Sequence, residues 1–311
     1  MTIKAVLLHS MMMSYNIANR ERALFMIYLA VTAGIVLLAL FLRWQNNGIV
    51  VTYINVTQKD VPRAFDGFKI LQISDLHNKC FGEGQKKLAS AIAETKPDII
   101  AVTGDIIDKR REGSAAALRL AEKAVKIAPV YYVPGNHERS AGGYEKLAER
   151  LKACGVRVIA NDAMQIEKRG AVITAVGVKD WQFFRSCSEN SNKKDDYEKA
   201  DKGFAGKLGE LAAAHPGGYR LLLAHRPEKI DFYAKAGFNL VLTGHAHGGQ
   251  WRLPLIGGLY APHQGLFPKY TSGLHRKGRT NMVVSRGLGN SGFPLRLGNR
   301  PELVVVTLKR G

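Results

Sequence analysis

Cysteine is scarce. Cys80, Cys154 and Cys187 are widely separated, odd in number and without a C-x-x-C pair, so neither a disulfide framework nor a zinc ribbon is expected. They read as small buried or incidental thiols, although Cys80 stands three residues after His77. Acidic residues are also few, 26 Asp and Glu against 45 Lys and Arg, for a formal charge of +19. The deficit sharpens near the C-terminus, where Gly265 to Gly311 holds nine Lys or Arg against the single acid Glu302, a local +8. Such a field favours anions, whether phosphate substrates, nucleic acid or anionic lipid, and does not choose among them. Internal repeats and low-complexity tracts are missing. What is present, 311 residues with 46% hydrophobic and 23% charged, suits one large globular domain or two small ones.

The segment Ala23 to Leu42, "ALFMIYLAVTAGIVLLALFL", is 20 residues without a charge, flanked by Arg20, Glu21 and Arg22 on one side and Arg43 on the other. As a helix it measures about 30 Å, the thickness of a hydrocarbon core. No polar face interrupts it, and "ALFLRWQ" lacks a small-x-small cleavage pattern, so a retained single-pass anchor in the cell membrane is expected. Arg20 and Arg22 against the lone Arg43 favour an N-terminus inside and the main domain outside the cytoplasm. Residues 1–22 show no clear pattern, and Met11, Met12 and Met13 offer later starts of translation. Residues 43–64 read as a short polar spacer and a first alternating strand.

From there one grammar repeats: an apolar β-rich run, a loop, a helical stretch. "FKILQISDLH" precedes "GQKKLASAIAET", "DIIAVTGDIID" precedes "SAAALRLAEKAVKI", and "PVYYVPGNHE" precedes "GYEKLAERLKA". Further apolar strands follow in "GAVITAVGV", "YRLLLAHRP", "FNLVLTGHAH", "TNMVVSRGLG" and "ELVVVTL", with helices around "KADKGFAGKLGELAAA" and "EKIDFYAKA" and a polar loop at "SCSENSNKKDDYEK". This alternation predicts an α/β fold with buried sheets.

Several of these runs end in residues of a metal-binding type: Asp75 and His77 in "SDLH", Asp105 in "TGDIID", Asn136 and His137 in "PGNHE", His225 in "LLLAHRPE", His245 and His247 in "TGHAHGGQ". Carboxyl ends of strands in open α/β sheets are where crevices form, so these side chains are expected to converge. Carboxylates, an amide oxygen and imidazoles together suit divalent transition ions, and a carboxylate can bridge two of them. Adjacent glycines, among them Gly104, Gly135 and Gly244, let the backbone turn tightly and approach a phosphate.

The ordered set D-x-H, G-D, G-N-H-E, an isolated His after a strand and G-H-x-H resembles the calcineurin-like metallophosphoesterase superfamily over about residues 65 to 311. "SDLHNKCFG", "GHAHGGQWRLP", "GLYAPHQGLFPKYTSGL" and "SRGLGNSGFPLRLGNRPELVVVTL" look like its membrane-anchored bacterial branch. The resemblance implies a four-layer αββα sandwich after one N-terminal transmembrane helix, with two divalent ions (Mn, Fe, Zn or Mg). One ion would be held by Asp75, His77 and His247 and the other by Asn136, His225 and His245, with Asp105 shared. It further implies His137 as the catalytic acid or phosphoryl-charge stabiliser, with orientation of a ligand as its structural alternative. The implied substrate carries a phosphodiester or pyrophosphate and is lipid- or nucleotide-linked, UDP-2,3-diacylglucosamine being one known in this branch. A nuclease or phosphoprotein phosphatase on the same fold, and a non-catalytic scaffold, are the alternatives. Nucleic acid is not the expected partner, since no basic strand interleaved with aromatics offers base stacking. The chain is expected to work as a monomer.

The stretch Trp251 to Tyr270, "WRLPLIGGLYAPHQGLFPKY", is apolar yet broken by prolines and glycines. Two readings stay open: core packing over the sheet, or an apolar lip that admits a lipid-linked phosphate, with Arg286 or Arg296 steadying its anionic end.

Overall fold

The computed structural model describes residues 3–186, 193–290 and 292–311. The chain divides into two units, the first reaching Trp44 and the second Gln45–Gly311. The first is helical: α1 runs Ile3–Asn47, 45 residues, so the patternless stretch ahead of Ala23 is helical as well. No Gly or Pro interrupts it before Gly34, and a helix once nucleated propagates through such good formers. It is long and apolar enough to cross a membrane, and its large apolar side chains, from Leu24 to Phe41, are exposed.

The second unit begins earlier than the expected boundary at residue 65. Its strands are β1 (Val50–Gln58), β2 (Lys69–Ile73), β3 (Ile99–Val102), β4 (Val130–Tyr132), β5 (Arg157–Val158), β6 (Asp162–Lys168), β7 (Ala171–Gly177), β8 (Tyr219–Leu223) and β9 (Leu240–Thr243). Four two-residue strands follow, β10 (Arg252–Leu253), β11 (Gly257–Gly258), β12 (Tyr260–Ala261) and β13 (Gly265–Leu266), then β14 (Gly273–Lys277), β15 (Thr280–Val284) and β16 (Glu302–Arg310). The helices are α2 (Lys86–Glu94), α3 (Ala115–Ala124), α4 (Asn136–Ala141), α5 (Tyr144–Ala153), α6 (Lys193–Ala214) and α7 (Ile230–Lys235).

Two six-stranded sheets result, ordered β1-β16-β2-β3-β4-β5 and β14-β15-β9-β8-β7-β6. Strand β1, assigned by sequence to the spacer segment, lies parallel to β16 along its whole length and closes the first sheet. Central strands are continuous apolar runs because both of their faces are covered. On β16, Leu303 and Val305 pack with α2, α3 and α5, whereas Val304 and Val306 join Leu221, Leu223 and Leu242 of the second sheet in the core between the sheets. On the far side, Leu222, Val241 and Met282 meet α6 and α7. The layers are therefore helix, sheet, sheet, helix.

One local expectation is corrected. The polar loop expected around residues 186–199 is helical from Lys193, the start of α6. Strands β6 and β14 sit at the two edges of the second sheet and carry too many polar residues to read as strands. Of the thiols, Cys80 is exposed, Cys154 is half-buried and both are free, while Cys187 lies outside the described residues.

Candidate metal centre

Six of the eight candidate residues follow directly on parallel strands. Asp75 and His77 follow β2, Asp105 follows β3, His225 follows β8, and His245 and His247 follow β9. Asn136 and His137 open α4 just beyond β4. Hydrogen bonds between the sheets set the two halves against each other. Buried Gln72 on β2 donates to the Thr243 carbonyl at 2.8 Å and to Thr103 Oγ1 at 3.0 Å. Asp75 accepts the His245 amide on both oxygens at 3.1 Å, and His225 Nδ1 lies 2.7 Å from the Thr103 carbonyl.

That last contact fixes a tautomer: the carbonyl can only accept, so His225 Nδ1 carries the proton and neutral His225 has its lone pair on Nε2. Nε2 then faces Asp105 Oδ2, Asn136 Oδ1 and His245 Nδ1, each at 3.2 Å. A second group forms where His77 Nε2 lies 3.2 Å from His247 Nε2, with Asp75 Oδ1 3.4 Å from the latter. Asp105 Oδ2 is 3.8 Å from His77 Nε2, so one carboxylate oxygen serves both groups. Lone pairs crowded on lone pairs in buried surroundings are costly unless a cation lies among them. Asp75, His77 and His247, and likewise Asp105, His225 and His245, have ligand atoms close enough to hold a metal ion. The residues present therefore fit divalent metal.

Burial dominates the electrostatics. It pushes His77 down to about 3 and holds His245 and His247 well below the imidazole range, leaving them neutral donors of electron pairs. Burial would lower His225 too, but the Asp105 carboxylate overrides it and lifts the group to about 10, so a proton on Nε2 competes with a metal ion for that position. Burial opposes ionisation of Asp105, and His225 beside it nevertheless holds the carboxyl well below its usual value. Asp75 rises to about 6, through burial first and the charge of Asp105 among the lesser causes.

Backbone conformation at the centre is unusual. Asp75, His77, Asp105, His245 and His247 all have φ between 46° and 63°, the left-handed region that costs an ordinary residue about 1–3 kcal/mol. Asp and His are among the residues that tolerate it, and the strand ends on either side hold them there. Gly104, at φ 92°, turns the chain as expected, while Gly135 and Gly244 do a further job. A Cβ on Gly135 would stand 2.3 Å from Asp105 Oδ1, and one on Gly244 would stand 2.2 Å from Asp75 Oδ2. They make room for the carboxylates.

Residues without a role in the sequence reading support this geometry. Glu138, the last letter of "GNHE", is fully buried and accepts four backbone amides: Gly135 at 2.7 Å, Ile106 at 2.8 Å, Asp105 at 2.9 Å and Ile107 at 3.3 Å. It thereby locks the Asp105 turn to the Asn136 turn. Burial, then the charge of Asp105, pushes its carboxyl up to about 8, against amides that favour the ionised form. Glu138→Gln turns an amide N–H towards those donors and is expected to destabilise the fold by about 1–3 kcal/mol. A matched fall in thermal midpoint and in metal retention would show it, and an unchanged midpoint would deny Glu138 this role. Asn299 Nδ2 donates to the carbonyls of His247 at 2.7 Å and Gln250 at 2.9 Å, pinning the His247 loop.

His137 stands slightly apart. Its Nδ1 is 3.2 Å from both Asp108 Oδ1 and the Lys109 amide, and its ring meets that of His77 edge-on at 4.5 Å. Burial lowers its pKa. With His77 and Asp105 it also makes a group able to hold metal, so position alone does not separate acid from ligand. Asp108 was legible as the last residue of "GDIID", three after the ligand, but its partner was not.

The two arginines expected at the substrate's anionic end are engaged elsewhere. Arg296 is 1% exposed and donates to the carbonyls of Gly289, Arg286 and Asn299. Arg286 pairs with Glu302 at 2.9 Å. Neither lines the cleft of about 330 Å³ over the metal-binding residues, whose walls include Lys109, Arg110, Gln250, Tyr260, His263 and Phe293. His263 stacks on His245 at 5.6 Å. The 251–270 stretch forms two small ribbons, β10–β11 and β12–β13, with Leu255, Ile256, Tyr260, Leu266 and Phe267 exposed rather than packed into the core.

The chain is similar to several known proteins. The family model of the calcineurin-like phosphoesterases covers residues 68–249. The metallophosphoesterase YkuE of Bacillus subtilis (strain 168) is 32% identical over 254 residues, 80% of this chain and 82% of the relative. Phosphodiesterase YaeI of Escherichia coli (strain K12) is 32% identical over 248 residues, 78% of this chain and 82% of the relative. A Bos taurus transmembrane protein with a metallophosphoesterase domain is 27% identical over 270 residues, 83% of this chain and 57% of the relative. With its helix-flanked paired sheets and its buried Asp and His at the strand ends, the chain belongs to the calcineurin-like phosphoesterases, metal-dependent hydrolases of phosphoric esters.

Proposed function

We propose that the chain is a membrane-tethered phosphodiesterase or pyrophosphatase acting on a lipid- or nucleotide-linked substrate. The observation that carries the chemistry is Asp105 Oδ2, shared between two groups of buried nitrogen and oxygen ligands. Asp75, His77 and His247 would hold one divalent ion, Asn136, His225 and His245 the other, and Asp105 both. Manganese, iron, zinc and magnesium all suit such donors to differing degrees. When bound, such a pair supplies Lewis acidity to the phosphoryl oxygens and makes water acidic enough to act as nucleophile near neutral pH.

The chain's own residues do the rest. Asn136 contributes a neutral oxygen, so the centre keeps a net positive charge towards a phosphate. His137, beside Asp108, would give a proton to the departing oxygen. No side-chain nucleophile is needed, because water attacks phosphorus directly. Arg20 and Arg22 against Arg43 favour a catalytic unit outside the cytoplasm.

The lipid-linked part of the proposal rests on the exposed side chains of the 251–270 ribbons, whose Tyr260 also lines the cleft. Replacing Leu255, Leu266 and Phe267 together by Ser is expected to raise KM for an acylated substrate about tenfold or more while sparing its non-acylated analogue, since each large apolar side chain buried contributes about 1.5–3 kcal/mol. Equal KM changes on both substrates would remove the lip from the account. The class of reaction is read by giving the full chain, in detergent with each metal in turn, an aryl phosphodiester, an aryl phosphomonoester, UDP-2,3-diacylglucosamine and single-stranded DNA. Preference for the diester or the pyrophosphate supports the proposal, whereas preference for DNA or the monoester, or inactivity with every metal, contradicts it.

A further inference from the structure

Next to the metal cleft lies a second hollow of about 530 Å³, walled by the 108–114 loop and the start of α5. Lys109 and Arg110 line both spaces, so the two adjoin. Arg111, Lys146 and Arg150 complete a set of five cations in its wall, against Asp108 and Glu112, a balance of 5 − 2 = +3. Asp108 meets His137 at 3.2 Å and also pairs with Arg110 Nε at 3.1 Å and Arg111 Nε at 4.0 Å, whereas Lys146 and Arg150 project from the exposed side of α5. The start of α3 adds to the field: its first turn has no acidic residue, and Ser114 does not cap it. The Ser114 hydroxyl oxygen instead accepts Arg150 Nη1 at 3.1 Å.

We propose that this hollow is an anion subsite which takes a second phosphoryl group carried by the same substrate molecule whose phosphoester bond meets the metals. It rests on the phosphodiesterase reading above. Cations on a rigid helix and a short loop, one wall away from the reacting centre, can pair with phosphate oxygens and set which substrates are held well. The arrangement also offers groups to meet the substrate's anionic end, beside a cleft that neither Arg286 nor Arg296 lines.

Two esters that differ by one phosphate test it: the p-nitrophenyl ester of thymidine 5′-monophosphate, and the same ester bearing a 3′-phosphate. With the metal-loaded full chain in detergent, the 3′-phosphorylated ester is expected to show a KM lower by about tenfold or more, the size of a charge-assisted contact. In Lys146→Ala/Arg150→Ala that preference should vanish, with kcat and the KM of the unphosphorylated ester within about twofold of the parent. The two side chains are exposed, and a circular dichroism spectrum checks that the double variant folds. No preference in the parent, a preference that survives in the variant, or an equal rise in both KM values would overturn the proposal. Added inorganic phosphate distinguishes a site for free phosphate: if it alters turnover of the unphosphorylated ester in the parent and not in the variant, the hollow serves free phosphate and the substrate subsite is wrong. If neither ester is hydrolysed, the phosphodiesterase reading fails, and calorimetry with thymidine 3′,5′-bisphosphate and thymidine 5′-monophosphate decides the subsite alone. Tighter binding of the bisphosphate in the parent only supports it, and equal binding overturns it.

Discussion

Asp105→Asn is expected to empty both metal positions and reduce turnover to background. Asp105 Oδ1 accepts the His137 amide at 2.8 Å, which leaves Oδ2 as the oxygen between the two ligand groups. An Asn keeps the shape, yet its neutral amide can bind one ion weakly at most. It also removes the charge that holds His225 in place electrostatically. The loss in kcat should exceed about 10³-fold, since a single preorganised transition-state donor is already worth about 10²–10³. Elemental analysis and turnover on one preparation check it. Full metal content with parental turnover would remove Asp105 from the bridge.

The second large effect separates two neighbours in the chain. His137→Ala should keep metal near the parental level and slow hydrolysis of a substrate with a poor leaving group by about 10²-fold or more, as expected when a general acid is lost. An activated aryl leaving group needs less protonation and should suffer less. Losing a ligand would instead cost metal, as expected for His245→Ala, whose Nδ1 sits 3.2 Å from His225 Nε2. Equal losses on both substrates would make His137 a stabiliser of phosphoryl charge, and loss of metal would make it a ligand.

The sequence carried the centre well because ligand types are unusual company for buried strands. "LVLTGHAHGGQ" stops an apolar run with polar donors, and β9 does end there, at Thr243. Central strands were legible for the same reason: with both faces buried they consist almost wholly of apolar residues. Edge strands were not. β6, "DAMQIEK", has a single buried residue, Ile166, so nothing in its composition separates it from a loop. β1 looked like a strand, but its partner β16 lies some 250 positions on, and no local pattern announces so distant a pairing. Glu138 was invisible in a different way, because its four partners are backbone amides, which every residue carries. The partners of Arg286 and Arg296 were not legible either: the first pairs with Glu302 and the second is buried among carbonyls. Charge can be counted in a sequence, whereas whether a guanidinium faces solvent, a carboxylate or a set of carbonyls is decided by packing.

If Asp105 joins two metal positions, metal stoichiometry measured against activity must show it. The full chain, stripped by a chelator and titrated with a single divalent metal, should bind two ions per chain, with turnover absent in the stripped protein and completed only as the second ion binds. Full turnover in metal-free protein, or saturation of activity at one ion per chain, would contradict the account.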